Sequence, residues 1–194
     1  GAQTYFNVTP DLSTFGKAIG NGFSVSALVG RRDIMDLGGL YHDKEKVFLL
    51  SLTHGGETHS IAAAIATINE LRDKDVISHI WKVGEELQDG FNRLSRELGL
   101  GELVTMKGYP CSPIIICRDQ EGEISLPYRT LFLQDMIANG VLVPYIAPSF
   151  SHTEREVEIT LNAARNALTN YKASLNMRLE GRLHGLPVKP VFRR

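Results

Sequence analysis

The segment Thr9-Pro10-Asp11-Leu12-Ser13-Thr14-Phe15-Gly16-Lys17-Ala18-Ile19-Gly20-Asn21-Gly22 sets one lysine among three glycines. A primary amine, once deprotonated, attacks an aldehyde to form an imine, and burial or a cationic neighbour favours that neutral form. Gly16 lets the backbone turn beside the lysine, while Gly20 and Gly22 permit positive φ or the close approach of a ligand. On spacing alone the plainer reading, a solvated lysine in a glycine-rich loop, stands beside the chemical one. Two nucleotide-binding patterns are excluded. A phosphate-binding Walker loop needs Gly and Ser or Thr where Asp11 and Ala18 stand. The dinucleotide fingerprint needs a third glycine at the position of Val25.

The remaining reactive side chains carry less. His54, His59 and His152 fit no zinc spacing and read as loop or packing residues. Cys111 and Cys117 are too far apart along an extended chain to form a disulfide, and read as free, buried thiols.

These residues need elements to position them. Up to about Gly56 the chain is rich in Gly and in short β-prone runs such as Ser24-Val25-Ser26-Ala27-Leu28-Val29, which predicts strands separated by turns. An Ala-rich helix follows over residues 58–71. A second helix is drawn by Val76, Ile80, Val83, Leu87, Phe91, Leu94 and Leu98, one apolar stripe at alternating spacings of four and three, ended by Gly99 and Gly101. Strands are expected from Leu103, over residues 113–117 and over residues 141–145, with a helix from about Tyr128 to Asn139-Gly140. The last long helix opens on a capping box, Thr153 with Glu156 three residues on. The expected fold is α/β, with an α+β C-terminal domain.

The chain has 194 residues, with 43% hydrophobic and 22% charged, enough to bury a sizeable core. A net charge of −1 gives no general attraction to nucleic acid or to an anionic membrane. No apolar run approaches the roughly 18 residues that span a bilayer, and the first residues do not read as a signal peptide, so a cytoplasmic protein is expected. The basic, Gly- and Pro-punctuated residues 176–194 lack aromatic interleaving and read as a surface extension rather than a nucleic-acid patch.

The run from Pro10 to Met35, centred on Phe15-Gly16-Lys17-Ala18-Ile19-Gly20-Asn21-Gly22, resembles the lysine segment of class III aminotransferases, closest to their glutamate-1-semialdehyde aminomutase branch. The resemblance implies a partial fold-type-I large domain over residues 1–75, and a long linking helix and α+β C-terminal domain over residues 76–175. Residues 176–194 then form a basic extension. It implies pyridoxal 5′-phosphate as cofactor. Lys17 would form the internal aldimine and shuttle a proton between the substrate Cα and the cofactor C4′. Ser51-Leu52-Thr53-His54-Gly55-Gly56-Glu57-Thr58 is similar to the family's phosphate segment, which implies that Thr53 binds the cofactor phosphate across the interface of a homodimer. A hydroxyl followed by backbone amides suits that task. Glu57 and Thr58 depart from the Asn and Pro usual there. Ala147-Pro148-Ser149-Phe150-Ser151-His152-Thr153-Glu154 resembles the segment before the family's last helix, with helix capping and a substrate-facing role both open.

The resemblance also implies that the acid pairing with the cofactor's ring nitrogen, a glycine-rich phosphate turn and a ring-stacking aromatic lie before the position of Gly1. The expectation is therefore a piece of an amino-transferring enzyme, inactive by itself, acting with its parent on a small-molecule amino donor and acceptor. Transfer between two molecules and 2,1-migration within one use the same residues. The alternative is a non-catalytic binding or assembly module that keeps the fold.

Overall fold

The computed structural model describes residues 1–39, 41–47, 55–179 and 181–190. The chain divides into two units, Gly1–Asp75 and Val76–Arg194. In the first, α1 (Ala2–Tyr5) precedes β1 (Leu12–Phe15) and β2 (Ala27–Gly30), which pair antiparallel with Leu12 opposite Gly30 and Phe15 opposite Ala27. The short α2 (Arg32–Met35) follows, and α3 (Thr58–Asp73) closes the unit. In the second, α4 (Val76–Glu97), β3 (Val104–Lys107), β4 (Ile114–Cys117), α5 (Leu126–Ala138) and α6 (Glu154–Ser174) follow in order, with β3 and β4 antiparallel. The fold is a mixed α/β arrangement. No described helix is long and apolar enough to cross a membrane.

The second unit is built on the stripe of α4. Val83, Leu87, Phe91 and Leu94 are buried against α6 and β3, and Phe91 meets Phe132 of α5 edge to face at 5.9 Å. The same helix presents Gln88, Asn92 and Ser95, spaced to share one face. They stand in for a third strand at the β3 edge. Asn92 Nδ2 donates to Met106 O at 2.9 Å, its Oδ1 accepts the Met106 N–H at 2.8 Å, and Ser95 Oγ donates to Val104 O at 2.6 Å. A strand edge that would otherwise invite pairing is thereby satisfied internally.

Helix ends follow their residue chemistry. Past α4, Gly99 takes φ +75° and the Leu100 N–H reaches back to Ser95 O at 2.8 Å, closing the last turn. At the start of α6, Thr153 Oγ1 accepts the Arg155 N–H and Glu156 Oε2 accepts the Thr153 N–H at 2.8 Å, the reciprocal pair expected of a capping box.

Residues 141–145 do not form the expected strand. Pro144 has no N–H to give a ladder. The Arg129 guanidinium also sits where a pairing partner would be, with Nη1 donating to Ile115 O of β4 at 2.8 Å and Nη2 to Pro144 O at 3.3 Å. A cavity of about 240 Å³ is lined from both sides. The two cysteines are free thiols, but only Cys117 is buried; Cys111 is half-buried. Past α6, Arg182, His184 and Val188 hydrogen-bond through their backbones to Gln134 and Thr130 of α5.

Burial pushes the Cys117 thiol up to about 12, and burial also raises the Tyr171 hydroxyl, which donates to Arg118 O. Both groups thus keep their protons in the folded chain after the unfolded chain has lost them. Raised folded-state values give stability that is complete below the unfolded values and is lost as pH climbs through the folded ones. The urea midpoint of the second unit should therefore hold from pH 7 to about 8.5 and then decline toward pH 12, with Cys117 contributing up to about 1.4 kcal/mol per pH unit. Cys117→Ala should flatten that slope. A midpoint unchanged between pH 8 and pH 10.5 would contradict this assignment.

Candidate functional site

Lys17 sits where β1 ends. Gly16 continues the extended backbone at φ −161°, and Lys17 then takes φ +50°, in the left-handed region. From there the chain tightens into a 3-10 turn over Lys17–Ile19, with the Gly20 N–H on Lys17 O at 3.0 Å and the Asn21 N–H on Ala18 O at 3.2 Å. Three described non-glycine residues have positive φ, namely Asn7, Lys17 and Asn21. Asparagine tolerates that conformation; lysine pays roughly 1 kcal/mol for it. Backbone strain of this kind is retained where surrounding contacts over-determine the position, most often at ligand sites.

Those contacts are visible. Gly20 is buried, and a Cβ there would lie 2.2 Å from Phe23 O and 2.7 Å from a Val25 methyl, so only glycine lets the loop fold back on itself. At the base of the hairpin a Cβ on Gly30 would lie 2.3 Å from Asp11 O. The β register sets Asp11 opposite Arg31 immediately outside the last pair. Arg31 Nη1 accordingly reaches Asp11 Oδ1 at 2.8 Å, and Nε and Nη2 grip both oxygens of Asp33 at 3.0 and 2.6 Å. The hydrogen bond from Arg31 holds the Asp33 carboxyl below its ordinary range. All three side chains face solvent, so the tie serves to orient the hairpin base more than to add stability. Sequence reasoning missed it, although pairing the two strands would have brought Asp11 and Arg31 together.

α3 packs against the 3-10 turn that follows β1. Phe23, just past the turn, meets the His59 ring edge to face at 5.7 Å. His59 Nε2 lies 3.5 Å from Glu57 Oε2, which also accepts from the buried Ser60 hydroxyl at 3.5 Å. The lysine-bearing turn thus neighbours the first turn of α3, whose Glu57 N-cap makes no side-chain cap bond. Amides at a helix start attract phosphate, whereas the Glu57 carboxylate adds negative charge at the same end. Thr53 and His54 lie outside the described residues.

In the second unit the segment before α6 serves as a cap. His152 Nδ1 accepts the Ser149 N–H at 3.2 Å, and His152 O lies 2.8 Å from His79 Nε2. Hydrogen bonding from Thr153 holds the Glu156 carboxyl below its usual range. A cavity of about 430 Å³ beside it is lined mainly by apolar side chains, among them Val83, Leu87, Ile146 and Val157. Among the described residues no three His, Cys, Asp or Glu side chains are grouped as metal ligands.

The chain has relatives among known proteins. The sequence profile of the family described as aminotransferase class-III matches residues 1–157. The 3-aminobutyryl-CoA aminotransferase of Cloacimonas acidaminovorans is 32% identical over 180 residues, covering 90% of this chain and 41% of that protein. The glutamate-1-semialdehyde 2,1-aminomutase of Desulfatibacillum aliphaticivorans is 30% identical over 183 residues, covering 87% and 41%. Among solved structures, the FumI protein of Sphingopyxis sp. MTA144, in its PLP internal aldimine form, superposes with a TM-score of 0.77 at 22% identity. That superposition covers 91% of this chain and 41% of FumI, and its bearing is on the fold. This chain therefore spans about two-fifths of the length of the relatives it matches.

Proposed function

The chain belongs to the class III aminotransferase family, and on that premise we propose that it holds the covalent cofactor anchor, Lys17, of a pyridoxal-phosphate-dependent enzyme that moves amino groups. The carrying observation is the lysine held in left-handed backbone at the end of β1, on a turn where Gly20 leaves no room for a side chain. The donor set fits the aldehyde end of the cofactor: a primary amine on an exposed turn, with no described carboxylate paired to it. Open space also surrounds Gly22 and Gly56, where an added Cβ would meet no atom within 4 Å. When bound, pyridoxal phosphate supplies that aldehyde and a conjugated ring that stabilises negative charge developing at the substrate Cα.

The chain's own residues do the rest. Lys17 Nζ anchors the cofactor and then carries a proton to and from the substrate Cα, acting as nucleophile and as acid/base. Gly20 and the Asp11–Arg31–Asp33 tie keep that amine in place. Thr53 is assigned to the cofactor phosphate, contributed to the neighbouring subunit of a homodimer. The substrates are a small-molecule amino donor and acceptor.

Residues 1–75 are assigned to the large domain and residues 76–175 to the C-terminal domain. The hairpin supports the first assignment, since Leu12 and Leu28 lie exposed on one face and Phe15 and Val29 on the other. A sheet apolar on both faces is one that other layers cover. Because the chain spans 41% of its relatives' length, we assign turnover to the longer polypeptide and expect little from the 194 residues alone. With pyridoxal phosphate and an excess of amino donor, the isolated chain should show at most slow, stoichiometric amino transfer, followed by cofactor absorbance. Sustained multiple turnover by the isolated chain would overturn that division of labour.

A further inference from the structure

The C-terminal segment covers a face of α5 through bonds to the side chains of Gln134 and Thr130. Just past α6 the Met177 N–H turns back to Ser174 O at 3.0 Å, and Arg182, His184 and Val188 further on meet α5. Gln134 of α5 meets it with both ends of its side-chain amide: Nε2 donates to Arg182 O at 3.1 Å, and Oε1 accepts the His184 N–H at 2.8 Å. A neighbouring β-strand would offer the same donor and acceptor, so Gln134 grips the backbone on either side of Leu183 as a strand does. One turn earlier on the helix, Thr130 Oγ1 accepts the Val188 N–H at 2.9 Å. Its own hydroxyl proton is already given to Leu126 O at 2.8 Å, which fixes Thr130 as an acceptor for the tail.

Backbone contacts of this kind hold many sequences, and selection rests with side chains. Leu179 and Leu183 pack against the buried core. Arg182 Nη1 donates at 2.8 Å to Oγ of Ser174, a fully buried residue in the last turn of α6. The negative end of that helix favours a cation there. Two apolar anchors, one charged anchor and two backbone grips make this face of α5 more than a surface over which a loose end lies.

We propose that Thr130, Gln134 and Ser174 form a peptide-docking site selective for a Leu-x-Gly-Arg-Leu segment that turns at Gly181, where φ is +82° and the Arg182 N–H meets Leu179 O at 3.0 Å, and that Leu179, Arg182 and Leu183 of the same chain fill it as a releasable clasp. The site lies wholly within the second unit.

Hydrogen exchange on the full 194-residue chain tests the grip first. The His184 and Val188 amides should be protected, and Gln134→Ala should speed His184 exchange by about tenfold while α4 amides keep their rates. A labelled peptide of residues 176–190 then tests selectivity on a full-length chain whose tail carries Arg182→Ala and Leu183→Ser. The peptide should bind that chain at least about tenfold more tightly than the unaltered one, and Gln134→Ala in the altered chain should remove about tenfold of that affinity. Unprotected His184 and Val188 amides in the unaltered chain would overturn the clasp. Equal peptide binding by the two chains, or none by either, would overturn the docking site.

Discussion

Replacing Lys17 by alanine should abolish amino transfer, lowering kcat by at least about 10³-fold, because one substitution removes the nucleophile and the acid/base together. The measurement belongs in the polypeptide of the relatives' full length, where turnover can be followed. The loss should not reflect unfolding. Lys17 is exposed, and alanine inherits the same strained φ of +50°. Lys17→Gly makes the control sharper. It relieves the left-handed backbone and should match or slightly raise stability, by up to about 1 kcal/mol, while being as inactive as the alanine variant. Arginine keeps the charge but cannot act as an amine nucleophile, so Lys17→Arg should be equally dead. Substantial activity in any of the three would remove Lys17 from the chemistry.

The second large effect is on folding. Gly84 lies on the buried face of α4, where a Cβ would stand 1.9 Å from the carbonyl oxygen of Pro110 and 2.6 Å from its carbon. Both are backbone atoms and cannot rotate aside, so helix and loop must separate. Gly84→Ala should therefore cost about 3 kcal/mol or more, despite alanine being the better helix former by about 1 kcal/mol. Gly90, two turns on, supplies the contrast: its added Cβ would meet the methyls of Leu161, the nearest at 2.6 Å. A side-chain end can shift, so Gly90→Ala should cost about 1 kcal/mol or less. Urea unfolding followed by circular dichroism separates the two. Equal midpoints for the two variants would contradict the packing described for α4.

What could be read from sequence was what repeats or caps. The apolar stripe from Val76 to Leu94 has a period only a helix satisfies, and Thr153 with Glu156 carries its own local hydrogen bonds, so α4 and the start of α6 emerge without tertiary knowledge. Residues 141–145 misled because their β-prone side chains say nothing about Arg129, which comes from another element to hold Pro144 O and Ile115 O apart. The grip of Gln134 on the tail was hidden for a related reason: it recognises backbone atoms, which leave no residue pattern. Around the site, the lysine and its glycines were legible as types, but not the left-handed φ of Lys17 or the tie through Arg31. The first follows from how the whole turn closes, and the second from strand register. Neither is a property of one residue. The phosphate-binding assignment rests on the likeness around Thr53 alone, since that residue lies outside the described structure.

The most direct measurement of the central claim is covalent. Protein incubated with pyridoxal phosphate is reduced with borohydride, digested and mapped by mass spectrometry, which turns a transient imine into a stable pyridoxyl group on whichever lysine formed it. Modification should concentrate on the peptide carrying Lys17 and be absent from the Lys17→Ala protein. Modification scattered over other lysines, or none on Lys17 in the full-length polypeptide, would contradict it and leave a non-catalytic member of the aminotransferase fold.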